Sequence, residues 1–569
     1  MKSFLKNILS SCLGTLLAFA IIILIGIFIF YSYTKQAKIA QNGVLHIQLS
    51  GMVTDYDVNG IDLYNFSFAA PKLTLWELRK KINAASHDDK IDAIFLECLD
   101  GGLSQQMVTE LSAILQNFKS TGKKIYAYSN YYDQNPYLLS TFADSIFLNP
   151  NGGVDLKGYA VFSPFFDNIL EKWDIDLHVF YAGRYKSGTE PYRLDSFSVD
   201  NESQLRAYIA QLEETMINWM RDNRNVEKAK VLSIIKGSRT FDSKFLEANG
   251  IIDEVLYRDE VIDLLNGLYE DEELVKLSSY EIPNTSMNDE VAVVFAQGEI
   301  LWNTNGTSGI THEEYSKIFN SLRENEQIKK VILRLDSPGG NGYTSDLLHR
   351  EVELLKQSGK KVYASFGGFA TSGAYYLASA ADSIFSTDNT MTGSIGVYIM
   401  LPTFENFLQR HLDVNVDTVL GMGGSMSYTP LVALTDEQQK SFQNQTDRLY
   451  QIFLEKVAEG RNMNITEVHE VAQGRIWSGR EALDQNLVDE LMSFDQLITA
   501  IAGNKLPKTY PEKKIGFSNE IWKQSMGGLK STFNNDLKML ETKVVEIQKL
   551  MEKPSPLMRI PYFLNVTNQ

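Results

Sequence analysis

Two cysteines in 569 residues leave almost no sulfur chemistry open. Cys12 sits in an apolar run and Cys98 in the first half of the chain, so no intrachain disulfide is expected between them. Such low thiol use fits a reducing compartment or a bacterial periplasm. The seven histidines are scattered, none falls in His-Glu-x-x-His, and no Cys/His cluster has metal-ligand spacing. No metal and no cofactor is therefore expected. Positive charge is also scarce: 54 Lys and Arg stand against 71 Asp and Glu, a formal charge of −17. Without a basic stripe to neutralise phosphates, no nucleic-acid partner is expected.

Charge is missing altogether between Leu13 and Tyr33. That stretch of about 21 residues would reach roughly 30 Å as a helix, enough to span a bilayer. Lys2 and Lys6 precede it and favour a cytoplasmic N-terminus, although Lys35 and Lys38 on the far side oppose that bias. Tyr31-Ser32-Tyr33-Thr34 is a poor cleavage site, so the segment reads as an uncleaved anchor. Leu9-Ser10-Ser11-Cys12 has the look of a lipoprotein box, but the apolar run follows it instead of preceding it.

The rest of the chain is written twice. Gly122-Lys-Lys-Ile-Tyr-Ala-Tyr and Ala143-Asp-Ser-Ile-Phe recur as Gly359-Lys-Lys-Val-Tyr-Ala-Ser and Ala381-Asp-Ser-Ile-Phe. Strand-like Val44–Gly51 has its counterpart in Val291–Gly298, and apolar Ile91–Leu96 in Val331–Leu335. Amphipathic helices are predicted at Leu75–Ala84 and Glu313–Arg323. Phe241–Glu254 matches Trp477–Glu490. The expected plan is a cytoplasmic N-terminus at 1–12, an anchor at 13–33, and a first repeat at 34–269. An acidic, polar linker at 270–290, a second repeat at 291–503 and an extension at 504–569 follow, the last with helical spacing at 536–553. Short apolar strands alternating with amphipathic helices predict α/β domains with parallel strands, whose ligand sites gather at the carboxyl ends of strands. Tyr56, Tyr64, Phe66 and Phe68 read equally as core, membrane-facing or oligomer-contact residues.

The two copies differ where chemistry would sit. The shared Ala-Asp-Ser-Ile-Phe register places Gln134 opposite Ser372. Ser372 follows Gly367-Gly-Phe-Ala-Thr, small residues suited to a tight turn from strand to helix. There it reads as a nucleophile at a helix start, or simply as a helix N-cap. Asp336-Ser-Pro-Gly339-Gly340 ends a strand and offers unobstructed amides for an oxyanion, or is only a turn. The first copy has Leu99-Asp-Gly-Gly there, without the proline.

A serine needs a base. His349 and His411 look like helix-surface residues. The alternative is a lysine kept neutral by burial. Lys186, in Gly183-Arg-Tyr-Lys-Ser-Gly-Thr-Glu-Pro-Tyr, is that candidate, its plain alternative being a solvated loop residue. Its counterpart in the second copy falls near Gly424 or Ser425. One copy thus has the lysine without the serine, and the other the serine without the lysine.

Tyr185-Lys186-Ser187 with Glu190-Pro191, Asp336-Ser-Pro-Gly-Gly, Ser372-Gly-Ala-Tyr-Tyr and Thr392-Gly-Ser394-Ile-Gly together resemble the long, tandem form of the bacterial signal peptide peptidase A (protease IV) family. The resemblance spans nearly the whole chain. It implies two ClpP/crotonase-like domains and a serine protease with a Ser/Lys dyad, Ser372 as nucleophile and Lys186 as general base. It further implies Ser394 as a support for the lysine, and Gly339, Gly340 and Gly373 around the oxyanion. Partners implied are signal peptides and other apolar peptides, the lipid bilayer, and further copies in a homotetramer. The implied location is the bacterial inner membrane, single-pass, with the catalytic domains periplasmic. Asp336 departs from the family's usual Asn, and Ala374 from its frequent Gly. Two other readings of the chain are a non-catalytic membrane scaffold and a crotonase-like acyl-transfer enzyme.

Overall fold

Ile91–Gly102 and Lys330–Ser337 are strands whose apolar side chains, Leu99 apart, are buried on both faces, which explains their near-continuous Ile, Leu, Val and Phe. Each sits inside a sheet, and the two sheets share one order of six parallel strands; the second also takes in Met391–Gly393, beside Lys361–Thr371, and Ile476–Ser478, antiparallel to Met391–Gly393. In the first, the strands run Glu254–Val255, Ser145–Leu148, Lys124–Ser129, Ile91–Gly102, Gly43–Met52, Glu273–Lys276. In the second they run Glu490–Leu491, Ser383–Ser386, Lys361–Thr371, Lys330–Ser337, Met287–Gln297, Leu506–Tyr510. The computed structural model describes residues 43–57, 73–237, 242–269, 273–283, 286–303, 309–422, 428–512 and 557–559. The expected anchor at 13–33, the helical spacing at 536–553, Tyr64, Phe66, Phe68 and the Gly424–Ser425 pair lie outside them. Among the described residues no helix is long and apolar enough to cross a membrane.

The duplication extends to polar detail. The Thr74 hydroxyl accepts from Glu77 N (3.2 Å) to start helix Leu75–Ser86, and Thr311 accepts from Glu314 N (3.4 Å) to start His312–Glu324. Ser104 and Asn341 cap the next helix in each copy. Arg224 pairs with Asp253 and Arg461 with Asp489. Strand Glu273–Lys276 lies within the segment that reads as a linker, and its equivalent, Leu506–Tyr510, closes the second sheet from beyond residue 503.

The two domains share one interior. The first domain's core includes Val291, Val293, Phe295 and Phe494 of the second. Tyr56 is buried there and stacks on Phe295 at 4.3 Å between ring centroids, so it is a core residue. Arg334, 1% exposed, crosses the boundary: it donates to Asp55 (2.6 Å) and Glu110 (2.9 Å) of the first domain and to Phe366 O (2.6 Å) of its own. The two carboxylates outweigh the cost of burial and hold the guanidinium charged. Arg334→Met should lower folding stability by about 3–5 kcal/mol, because it strands two buried carboxylates. Urea denaturation checks this, and a change under about 1 kcal/mol would count against the cluster as the domain clasp.

Candidate active site

Strand Asp176–Ala182 leaves the first domain and pairs antiparallel with Val397–Thr403 of the second, Ala182 opposite Val397 and Asp176 opposite Thr403. That pairing delivers the following turn, Gly183–Lys186, onto the second domain's 473–475 backbone, where Tyr185 N donates to Gln473 O at 2.7 Å. The lysine side chain then packs against Gly396 and Gly474, where a larger residue would collide with it. A Cβ on Gly396 would stand 3.1 Å from Lys186 Cδ, and one on Gly474 would stand 2.6 Å from Lys186 Cβ. Glu190 anchors the far end of the turn, accepting from Ser198 Oγ (2.6 Å) and Asn201 Nδ2 (2.7 Å).

Lys186 is 2% exposed and Ser372 is fully buried. Lys186 Nζ lies 2.8 Å from Ser372 Oγ, 2.8 Å from Ser394 O and 3.0 Å from Ser394 Oγ. None of these partners is charged. Burial therefore pushes the lysine well below its ordinary value. A neutral amine has two N–H donors and one lone pair. The Ser394 carbonyl and hydroxyl take the two donors, and the lone pair is left to accept the Ser372 proton. The three sequence-selected residues from two domains are thus brought together in one hydrogen-bonded group.

Ser372 sits at φ 56°, ψ −117°, a backbone state that non-glycine residues rarely adopt. Its own amide donates to Gly393 O (2.8 Å), and Ser394, at φ 51°, donates its amide to Arg475 O (2.6 Å). The Ser372 hydroxyl makes no cap to the helix that follows, Gly373–Ala378, so the N-cap reading fails: the side chain faces the amine. Nor is Lys186 a solvated loop residue.

Strand Gly339–Asn341 lies beside this group and touches the Gly373–Ala378 helix. Gly340 must be glycine: φ is +149°, and a Cβ would stand 2.1 Å from Ile300 O. Gly339 N donates to Ser337 Oγ at 3.2 Å. Asp336 accepts from Phe369 N (3.0 Å), and burial, with the Asp55 carboxylate nearby, pushes it up to about 6.

The first copy has lost the same site. Gln134 is buried and accepts from Lys157 N (3.0 Å) and Gly158 N (2.8 Å), so an amide is tied to backbone where the other copy holds a hydroxyl. On the shared register Leu156 stands opposite Ser394. His349 is not a surface residue: it is 3% exposed, on helix Gly342–Gln357 against Tyr376, and burial pushes it down to about 4. His411 is exposed and pairs with Asp174. Sequence reading did not find Gly474 or Asn201; only the spacing Glu190…Ser198…Asn201, which suits a turn closing onto a helix start, hinted at the latter.

The sequence profile of peptidase family S49 matches the chain twice, at residues 117–270 and 354–506. The chain belongs to peptidase family S49. It is similar to Protease 4 of Haemophilus influenzae, 27% identical over 96% of this chain and 92% of that one. It is also similar to the chloroplastic Serine protease SPPA of Arabidopsis thaliana, 28% identical over 84% of this chain and 71% of that one. Among solved structures, ClpP1 from Listeria monocytogenes is 17% identical, with a TM-score of 0.23, covering 35% of this chain and 91% of that one. With its S49 membership and these relatives, the chain is a serine protease of two tandem α/β domains.

Proposed function

We propose that this S49 protease is a membrane-anchored endopeptidase in which Ser372 is the nucleophile and Lys186 the general base. The observation that carries this reading is the 2.8 Å contact between a fully buried hydroxyl and an amine with no counter-charge. The neutral amine takes the Ser372 proton as Oγ attacks a peptide carbonyl. Ser394 holds the resulting ammonium through its carbonyl and hydroxyl. Because Ser337 occupies the Gly339 amide, Gly340 and Gly373 are the favoured donors to the oxyanion. The ammonium then protonates the leaving amine, the C–N bond breaks, and water attacks the acyl-enzyme with the lysine again as base.

The substrates are cleaved signal peptides and similar apolar peptides, bound in extended form along the sheet beside Ser372. Residues 13–33 tether the chain to a bacterial inner membrane with its catalytic domains on the periplasmic side, assembled as a homotetramer. The uncharged apolar stretch supports the membrane tether, and Lys2 and Lys6 before it support the orientation. In detergent, a synthetic signal peptide with an apolar centre should be cleaved with a kcat/KM about tenfold or more above that of a polar peptide of equal length. Equal values would remove the substrate assignment and leave the dyad standing.

A further inference from the structure

Strands Lys330–Ser337 and Lys361–Thr371 run in parallel register until they reach the site, and there they part. Leu335 faces Phe366, and the next matched pair is Ser337 with Ala370. Asp336 therefore stands opposite three residues, Gly367, Gly368 and Phe369. A bulge of this kind re-aims the strand that carries it, and this strand leads into Ser372. The Asp336 side chain holds the bulge. Its Oδ1 accepts from Phe369 N at 3.0 Å, and Gly368 N also bonds the carboxylate. Gly367 makes the room: a Cβ there would stand 2.8 Å from Asp336 Cβ. Past the bulge, Thr371 Oγ1 donates to Pro338 O at 2.9 Å, so the strands are tied again one residue before Ser372. Asp336 thus lies three residues before Gly339 on one strand and holds the amide three residues before Ser372 on the other. The first copy makes its turn differently. Tyr131, three residues before Gln134, gives its amide to Ser129 Oγ (3.1 Å), a neutral hydroxyl on its own strand.

We propose that Asp336 is a positioning residue for peptide cleavage: by holding the Gly367–Phe369 bulge, its carboxylate sets where Ser372 Oγ stands relative to the Gly339–Gly340 backbone. The inference rests on the reading of Ser372 as nucleophile. The attacking oxygen and the oxyanion donors must reach the same carbonyl, and a misplacement of about 1 Å costs on the order of 10²-fold in rate. A carboxylate suits the task because a charged acceptor binds amides about twice as strongly as a neutral one. The charged groups around Asp336 come from its own strand and from the first domain. Arg334 lies two residues before it, Asp55 faces it, and Glu110, on helix Gln105–Ser120, shares the Arg334 guanidinium. Gln106 of that helix packs beside Gly368, and strand Met287–Gln297 brings Gln297 opposite Asp336; both are uncharged. With burial and Asp55 holding Asp336 at about 6, the acceptor is charged at neutral pH and loses its charge as pH falls through that value.

The test uses the full-length chain and a synthetic signal peptide. Asp336→Ala should lower kcat about 30-fold or more while KM stays within about threefold, since the loss falls on the transition state. Asp336→Asn keeps an oxygen for Phe369 N and has no charge to lose. At about pH 8 it should recover kcat to within about threefold of the parent. The parent-to-Asn ratio of kcat should then be level from about pH 7 to 9 and fall about threefold or more by about pH 5, as the parent's carboxylate takes up a proton. Taking the ratio cancels the ionisation of Lys186, which both chains share. An Ala variant within about threefold of the parent would overturn the proposal, and so would an Asn variant as impaired as Ala. A ratio that stays level down to about pH 5 would overturn it as well, and that comparison needs only the Asn chain to fold. Ser372→Ala is run beside them. Cleavage retained there refutes the nucleophile; cleavage lost there, with a parent-like Asp336→Ala, rejects the positioning role alone.

Discussion

Lys186→Met should reduce kcat/KM for peptide cleavage by roughly 10⁴-fold or more, since removing one member of a nucleophile–base pair costs nearly as much as removing both. Methionine keeps the apolar stem against Gly396 and Gly474 and deletes only the amine. The same variant has a stability signature that a merely structural lysine would not give. Burial lowers the folded-state value of Lys186, whereas the unfolded chain holds the proton up to about pH 10.4. In the window between the two values the unfolded state binds one more proton than the folded state. The stability of the parent must therefore rise with pH through that window and level off above it. Methionine has no proton to exchange. The parent should gain on the variant as pH is raised from about 7 towards 10, and urea midpoints across that range measure the difference. A constant difference would show that the amine is charged in the folded protein.

Ser372→Gly should abolish cleavage to a similar extent and yet make the protein more stable. Ser372 holds a positive φ that costs an L-residue about 1–3 kcal/mol, and glycine adopts it freely. Ser372→Ala should abolish cleavage equally without that gain, because alanine keeps the strain. The comparison of the two variants isolates the backbone contribution from the lost hydroxyl. A glycine variant no more stable than the alanine variant would mean that the turn around Ser372 is relaxed.

Much of this was legible because the chain repeats itself. The matched Ala-Asp-Ser-Ile-Phe segments set a register, and the register exposed Gln134 against Ser372 and a lysine present in one half only. The strands around Ile94 and Ile332 could be read from apolar runs, since burial on both faces leaves no other composition open. What could not be read is what distant segments do to each other. Lys186 looks like a loop lysine until Gly474, far along the chain, leaves room for it to pack out of solvent. Arg334 meets Asp55 across 279 positions, and no local pattern announces it. His349 keeps a helix-surface spacing but faces Tyr376 inside the second domain. The strand Leu557–Arg559, which pairs with Gly339–Asn341 and with Tyr398, is too short for periodicity to show.

The rate at which a fluorophosphonate labels Ser372, followed against pH in the parent chain and in Lys186→Met, bears most directly on a site shared between the two repeats. Mass mapping should find the adduct on Ser372, with a rate that climbs as the amine loses its proton and then holds level, and with almost no labelling in the methionine variant. Labelling of Ser372 at the parent's rate and pH dependence without the Lys186 amine would contradict it.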